Sequence, residues 1–276
     1  MHTDEIMQLA LAMAGLSTIP EDSQVYVPGD ITRALVTIDA DTGLLSIARS
    51  LGYDGVIVHH PQGDDAMMGL HLVMNRQLQT MTRAGIPENE ARIALEPRQF
   101  SVEHTNHMRN WDYMPSVARL MGMPLMNIHY PCDLMMERIV DAHVQGRLAE
   151  SGPATTVGQL TDMLLELPEY AHAKTRPAVV TGSMDWPAGN VVTAFAGGTN
   201  GGAAVVEAYW RHGVNTVMTL HMEVADIQKL RALPHPGTLI VAGHIASDSV
   251  GLNALVRVLR AHGLELTAMG GIVAGS

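Results

Sequence analysis

The sequence has one cysteine, Cys132, in 276 residues. That excludes an intrachain disulfide and every cysteine-based zinc motif, and leaves Cys132 as a small, semi-buried apolar residue. There are two phenylalanines against 19 methionines, so flexible thioethers must fill much of the core. Charged residues are scarce at 16%, and only 17 Lys and Arg stand against 28 Asp and Glu, for a net charge of −11. The chain therefore lacks the clustered cations on which bulk nucleic-acid binding relies. It also lacks a long apolar run near its start. Leu9 to Leu16 is far short of the roughly 20 residues needed to cross a bilayer. The opening Met1, His2, Thr3, Asp4, Glu5 lacks the basic start of a signal peptide. A cytoplasmic protein with no membrane partner is the expectation.

What is present is a globular composition, 47% hydrophobic, with enough chain for one large domain or two moderate ones. Short apolar runs alternate with amphipathic stretches. Arg33 to Asp39 reads as a strand, the stretch from Thr42 to Leu51 as a helix, and GVIVHH as the next strand, a βαβ unit. Met67 to Ala84 reads as one helix, Gln99 to His104 as a strand, Met114 to Met121 as a helix, and Asp133 to Leu148 as another. Ser151, Gly152 and Pro153 mark a break. Beyond it strands at 191–195, 215–220, 238–243 and 264–268 alternate with helices. The fold class expected is α/β: two related halves, residues 1–150 and 151–276, with largely parallel or mixed sheets and a site in the crevice between them.

Histidines gather at the expected strand ends. GVIVHHP ends its apolar run at His59 and His60, and TLIVAGHIASD ends at His244 with Asp248 four residues on. Imidazole with carboxylate suits Zn, Mn, Fe, Co or Ni. Adjacent strand residues point to opposite faces, so His59 and His60 converge only if the backbone bends there. The ordinary role of Asp248 is to cap a helix. A third group, VEHTNHMRNWD, offers Glu103, His104, His107 and Asp112. FAGGTNGG, from Phe195 to Gly202, joins a strand to a helix but matches neither the Walker loop nor the dinucleotide fingerprint.

The order of RALVTIDAD, DGVIVHHP, EHTN, FAGGTNGG and VAGHIASD resembles the Nif-three-like dinuclear metal centre family, often labelled GTP cyclohydrolase I type 2 homologues, over nearly the whole chain. The resemblance implies two divalent metal ions held by His59, His60, His244 and Asp248, where Asp replaces the usual Glu. The family's bridging Asp falls on Met108 here, so Asp112, His104, His107 or Glu103 is expected to substitute. His221 and Glu223, in TLHMEV, are expected as secondary polar groups. The resemblance further implies a toroidal homohexamer and hydrolysis of a small molecule through a metal-bridged water. The alternative is a metal-binding regulatory or interaction protein without turnover.

Overall fold

Short apolar runs bounded by glycine and proline become strands, and segments with buried residues three and four apart become helices. The computed structural model describes residues 1–275. Helix α1 (Thr3–Ala14) buries Ile6, Met7, Ala10, Leu11 and Ala14 and stops at Gly15 in the left-handed region. Strands β1 (Gln24–Val27) and β2 (Arg33–Thr37), helix α2 (Thr42–Ser50) and strand β3 (Gly55–Val58) follow. Every residue of β3 is buried, as in a parallel strand covered on both faces.

The single helix expected over 67–84 is broken into α3 (Asp64–Met68), α4 (Leu70–Val73), a 3-10 turn (Met74–Arg76) and α5 (Gln77–Arg83). The break falls at Gly69, whose backbone lies so near the Glu21 carbonyl oxygen that a Cβ would come within 2.4 Å of it. The strand expected at Gln99–His104 is instead the last part of α6 (Glu88–His107). Of that run only Val102 is buried, one residue per turn rather than alternate residues. Pro97 lies inside this helix and does not end it.

Helix α7 (Tyr113–Met121), strand β4 (Leu125–Asn127) and helix α8 (Tyr130–Ser151) complete the first part. The remainder comprises α9 (Val157–Leu165), α10 (Pro168–His172), β5 (Ala178–Thr181), β6 (Val191–Thr193), α11 (Gly202–Arg211), β7 (Thr216–Thr219), α12 (Val224–Arg231), β8 (Thr238–Val241), α13 (His244–Ala261) and β9 (Glu265–Ala268).

The result is a mixed α/β fold with two sheets. The first has the order β1-β4-β3-β2-β9, the second β5-β8-β7-β6. Each has one antiparallel edge strand with an irregular register, β1 on β4 and β5 on β8, and is otherwise parallel. The order β1-β4-β3-β2 in one sheet therefore repeats as β5-β8-β7-β6 in the other. A division at residue 150 separates the two sheets except for β9, which returns from the C-terminal end to pair with β2.

Helices α8 and α13 follow the corresponding strands β4 and β8 and pack on each other. The approach is close: a Cβ on Gly251 of α13 would lie 2.2 Å from the Cys132 carbonyl oxygen of α8. One apolar core joins the first sheet to α1, α8 and α13, and a second joins α8, α9, α10 and α13 to the second sheet. Among the described residues no helix is long and apolar enough to cross a membrane.

Candidate metal centre

The carboxyl ends of parallel strands in both sheets meet around α8 and α13, where α/β folds bind ligands. His59 and His60 follow β3. The backbone bends at both residues while still bonding to the end of β2 and the residue after it, through His59 N–H to the Thr37 carbonyl and His60 N–H to the Ile38 carbonyl. The bend brings the two rings to one side, with centroids 5.0 Å apart. His129 follows β4, and Asp133 lies one turn into α8. His244 begins α13 after β8, and Asp248 again lies one turn on.

These side chains form three overlapping groups with ligand atoms within 4.8 Å of one another: His59, His60 and His129; His60, His244 and Asp248; His59, Asp133 and Asp248. The His59 Nε2 atom lies 3.2 Å from Asp133 Oδ1 and 3.7 Å from Asp248 Oδ1. The other oxygen of Asp248 lies 3.5 Å from His60 Nε2 and 3.3 Å from His244 Nε2. Asp248 thus faces two sets of donors, one with each oxygen.

The outer atoms of three imidazoles are each held by an acceptor. His59 Nδ1–H donates to the Ile128 carbonyl at 3.1 Å, His60 Nδ1 meets Asp39 Oδ1 at 2.7 Å, and His129 Nδ1 meets Asp22 Oδ2 at 2.7 Å. Such contacts fix the tautomer and turn the Nε2 lone pair of each neutral ring inward, as for ligating histidines. Two atoms at the centre, His59 Nε2 and Asp248 Oδ2, are buried with no hydrogen-bond partner among the described residues. Buried polar atoms rarely go unpaired, and nitrogen and carboxylate donors are what a borderline divalent cation takes. The residues fit a metal.

The electrostatics agree. Burial opposes charge on His59, yet the Asp248 and Asp133 carboxylates hold its imidazole well above the usual range. His60 is raised in the same way by Asp248 and Asp39. Burial would raise Asp248, but the surrounding histidines, His59 foremost, hold it far below the usual carboxylate range. A proton here takes the place a cation would occupy. His244 is pushed down to about 4, chiefly by burial, although its side chain keeps 38% of its exposure and opens the centre to solvent. Cys132 is buried beside His59, and burial pushes its thiol up.

His221, just past β7, stands next to His244 with ring centroids 4.6 Å apart. The Asn200 amide nitrogen donates to His221 Nδ1 and to Glu223 Oε2, both at 3.1 Å, while its oxygen accepts from Gly202 N–H at 3.0 Å. These contacts orient the amide, so neutral His221 carries its proton on Nε2. Arg98 in turn pairs with Glu223. The glycine-rich turn thus serves to position His221.

The structure brings together four of the six candidate ligands and places the other two elsewhere. His104 sits on the exposed side of α6, stacked on Phe100 and bonded to the Phe100 carbonyl. Asp112 precedes α7, and Ser116 and Arg119 engage its carboxylate and hold it below the usual range. Neither belongs to any of the three groups. Asp248 is not a cap either, since Gly243 occupies that position of α13. Three members lay outside the sequence expectation: His129, Asp133 and the supporting Asp22. The signal for the first two was present. HYPCD and HIASD share a His and an Asp four residues apart, each after a short apolar strand.

No family model and no curated protein matches the chain. Among solved structures, reduced HcgD from Methanocaldococcus jannaschii is similar over 97% of both chains, at 14% identity and a TM-score of 0.60. TTHA1606 from Thermus thermophilus is similar over 97% of both chains, at 15% identity and a TM-score of 0.51. These two share the fold. A NIF3 superfamily protein from Sphaerobacter thermophilus is 40% identical, over 98% of both chains, with a TM-score of 0.95. A likeness of that extent, in sequence and in fold, means that the chain belongs to the NIF3 superfamily.

Proposed function

We propose that the protein is a metal-dependent hydrolase with a dinuclear centre. The observation that carries this reading is the pair of unpartnered buried atoms, His59 Nε2 and Asp248 Oδ2, within a cluster that is buried on one side and open at His244 on the other. His59, His129 and Asp133 would hold one divalent cation, His60 and His244 the other, with one Asp248 oxygen turned toward each set. When bound, two such cations supply Lewis acidity and lower the pKa of water toward neutrality. Zn, Mn, Fe, Co and Ni all suit these donors.

The chain's own residues do the rest. Asp39, Asp22 and the Ile128 carbonyl fix the ligating rings. His221 presents an Nε2–H donor beside the open edge, positioned by Asn200, where a developing negative charge on a carbonyl or phosphoryl oxygen would be stabilised. The working assembly in this reading is a homohexamer. In support, Met108, Trp111, Tyr113 and Leu120 are each exposed large apolar side chains between the end of α6 and the end of α7, and exposed apolar surface is what interfaces cover.

The test is a screen of phosphoester and amide substrates with protein stripped by chelator and reloaded with each of the five metals. Turnover that requires metal and is lost in His244→Ala supports the reading. Full metal loading without turnover across the screen would favour a non-catalytic, regulatory metal protein.

A further inference from the structure

A cavity of about 560 Å³ lies between α5, α8 and β6, outside the metal centre. One face of α8 forms its floor, through Tyr130, Leu134, Glu137, Arg138 and Asp141. Arg76 and Arg83 reach it from the opposite wall. Three guanidinium groups at one cavity are unusual in a chain with only 17 Lys and Arg and a net charge of −11.

Their partners leave much of that charge free. Of the three, and among the described residues, only Arg76 has a carboxylate within ion-pair reach, Glu21 at 3.7 Å. Arg83 bonds to two neutral oxygens, the Gln79 carbonyl and the Thr80 hydroxyl. Arg138 lies against Gly15 at the end of α1, its guanidinium nitrogens 3.7 Å from where a Cβ would stand. Two acids also line the cavity. The Glu137 carboxylate is spoken for: its Oε2 accepts from the N–H groups of Phe195 and Ala196 at 2.9 and 2.7 Å, and burial raises it toward neutrality. Asp141 accepts from Gln145 at 3.4 Å.

Thr193 also lines this cavity but is only 5% exposed, with its hydroxyl closed off from solvent. The three guanidinium groups offer forked donors around a space of ligand size. Guanidinium forks match phosphate oxygens, and the volume is larger than a phosphate ion alone requires.

We propose that this cavity binds a small organic phosphate monoester, with Arg76, Arg83 and Arg138 engaging the phosphate. The site is separate from the metal centre and does not depend on it.

The test is calorimetric titration of the full chain with glycerol phosphate and with inorganic phosphate, before and after removal of metal by chelator. Arg83→Gln and Arg138→Gln alter exposed side chains, so both variants are expected to fold. The expected result is saturable binding of the monoester, tighter than that of inorganic phosphate and intact after chelation and in His244→Ala. Each Arg variant should weaken it by roughly tenfold or more, as loss of a charged hydrogen bond does. Absence of saturable binding, equal affinity for inorganic phosphate, unchanged affinity in both Arg variants, or loss of binding on chelation would each overturn the proposal.

Discussion

Three imidazoles at the centre, those of His59, His60 and His129, have one nitrogen committed to an outer acceptor and the other turned toward a carboxylate, so a proton and a metal would compete for the same atom. This fixes a pH dependence. In the metal-free protein, protonated His59 and His60 stabilise the fold below the ordinary histidine range, and that contribution is lost as pH rises through their elevated values. A cation needs the neutral rings. His244, pushed down to about 4, is already neutral near pH 7 and adds no slope there. The rise in melting temperature caused by added zinc should therefore grow between about pH 6 and about pH 8. Melting curves with and without metal measure it, and an increment that shrinks over that range would contradict the account. The residues differ in how legible they were. His59, His60, His244 and Asp248 stand at ends of apolar runs that sequence alone reveals. His104 and Asp112 were expected as substitutes because the family's bridging Asp falls on Met108 here; instead His104 lies on a helix and faces solvent, and Asp112 is engaged by Ser116 and Arg119.

At the scale of elements, the centre depends on how closely α8 and α13 approach, because one carries Asp133 and the other Asp248. Gly251 permits that approach. A methyl group there would meet the Cys132 carbonyl oxygen, next to Asp133. Gly251→Ala should cost about 1–3 kcal/mol, the usual penalty of overpacking, and weaken metal binding as well. Chemical denaturation of metal-free protein and a metal titration measure the two effects. Unchanged stability together with unchanged affinity would show that the helices do not need this contact. The same pair of helices explains what sequence reading missed. Strand β4 is three residues long and follows Pro124, so its apolar run is too short to announce a strand end at His129. The antiparallel edges β1 and β5 bury one residue each, too little for a pattern. Asp133 read as the start of a helix, when the helix begins at Tyr130 and presents Asp133 one turn in. Strands β2, β3, β7 and β8, almost wholly buried, were legible as apolar runs, as was the alternation that gives an α/β fold.

For the molecule as a whole, the two sheets repeat one strand order, and the candidate ligands come from both: His59, His60, His129 and Asp133 from the first, His244 and Asp248 from the second. A cation held there would tie the halves together, and by linkage it would stabilise the fold by roughly 2.7 kcal/mol at a free concentration 100 times its dissociation constant. Pairing across chain halves is what a sequence cannot display, since it shows neither which strand ends meet nor that β9 returns to the first sheet. The central claim is that Asp248 stands between two metal positions. It is tested most directly by the metal-to-chain ratio, measured side by side by elemental analysis for the wild type, Asp248→Asn and Asp112→Asn after saturation and desalting. The account predicts about two metals per chain in the wild type, as in other two-metal centres, the same in Asp112→Asn, and loss of bound metal in Asp248→Asn. A wild type that retains no metal, or an Asp248→Asn variant that retains the full complement, would contradict it.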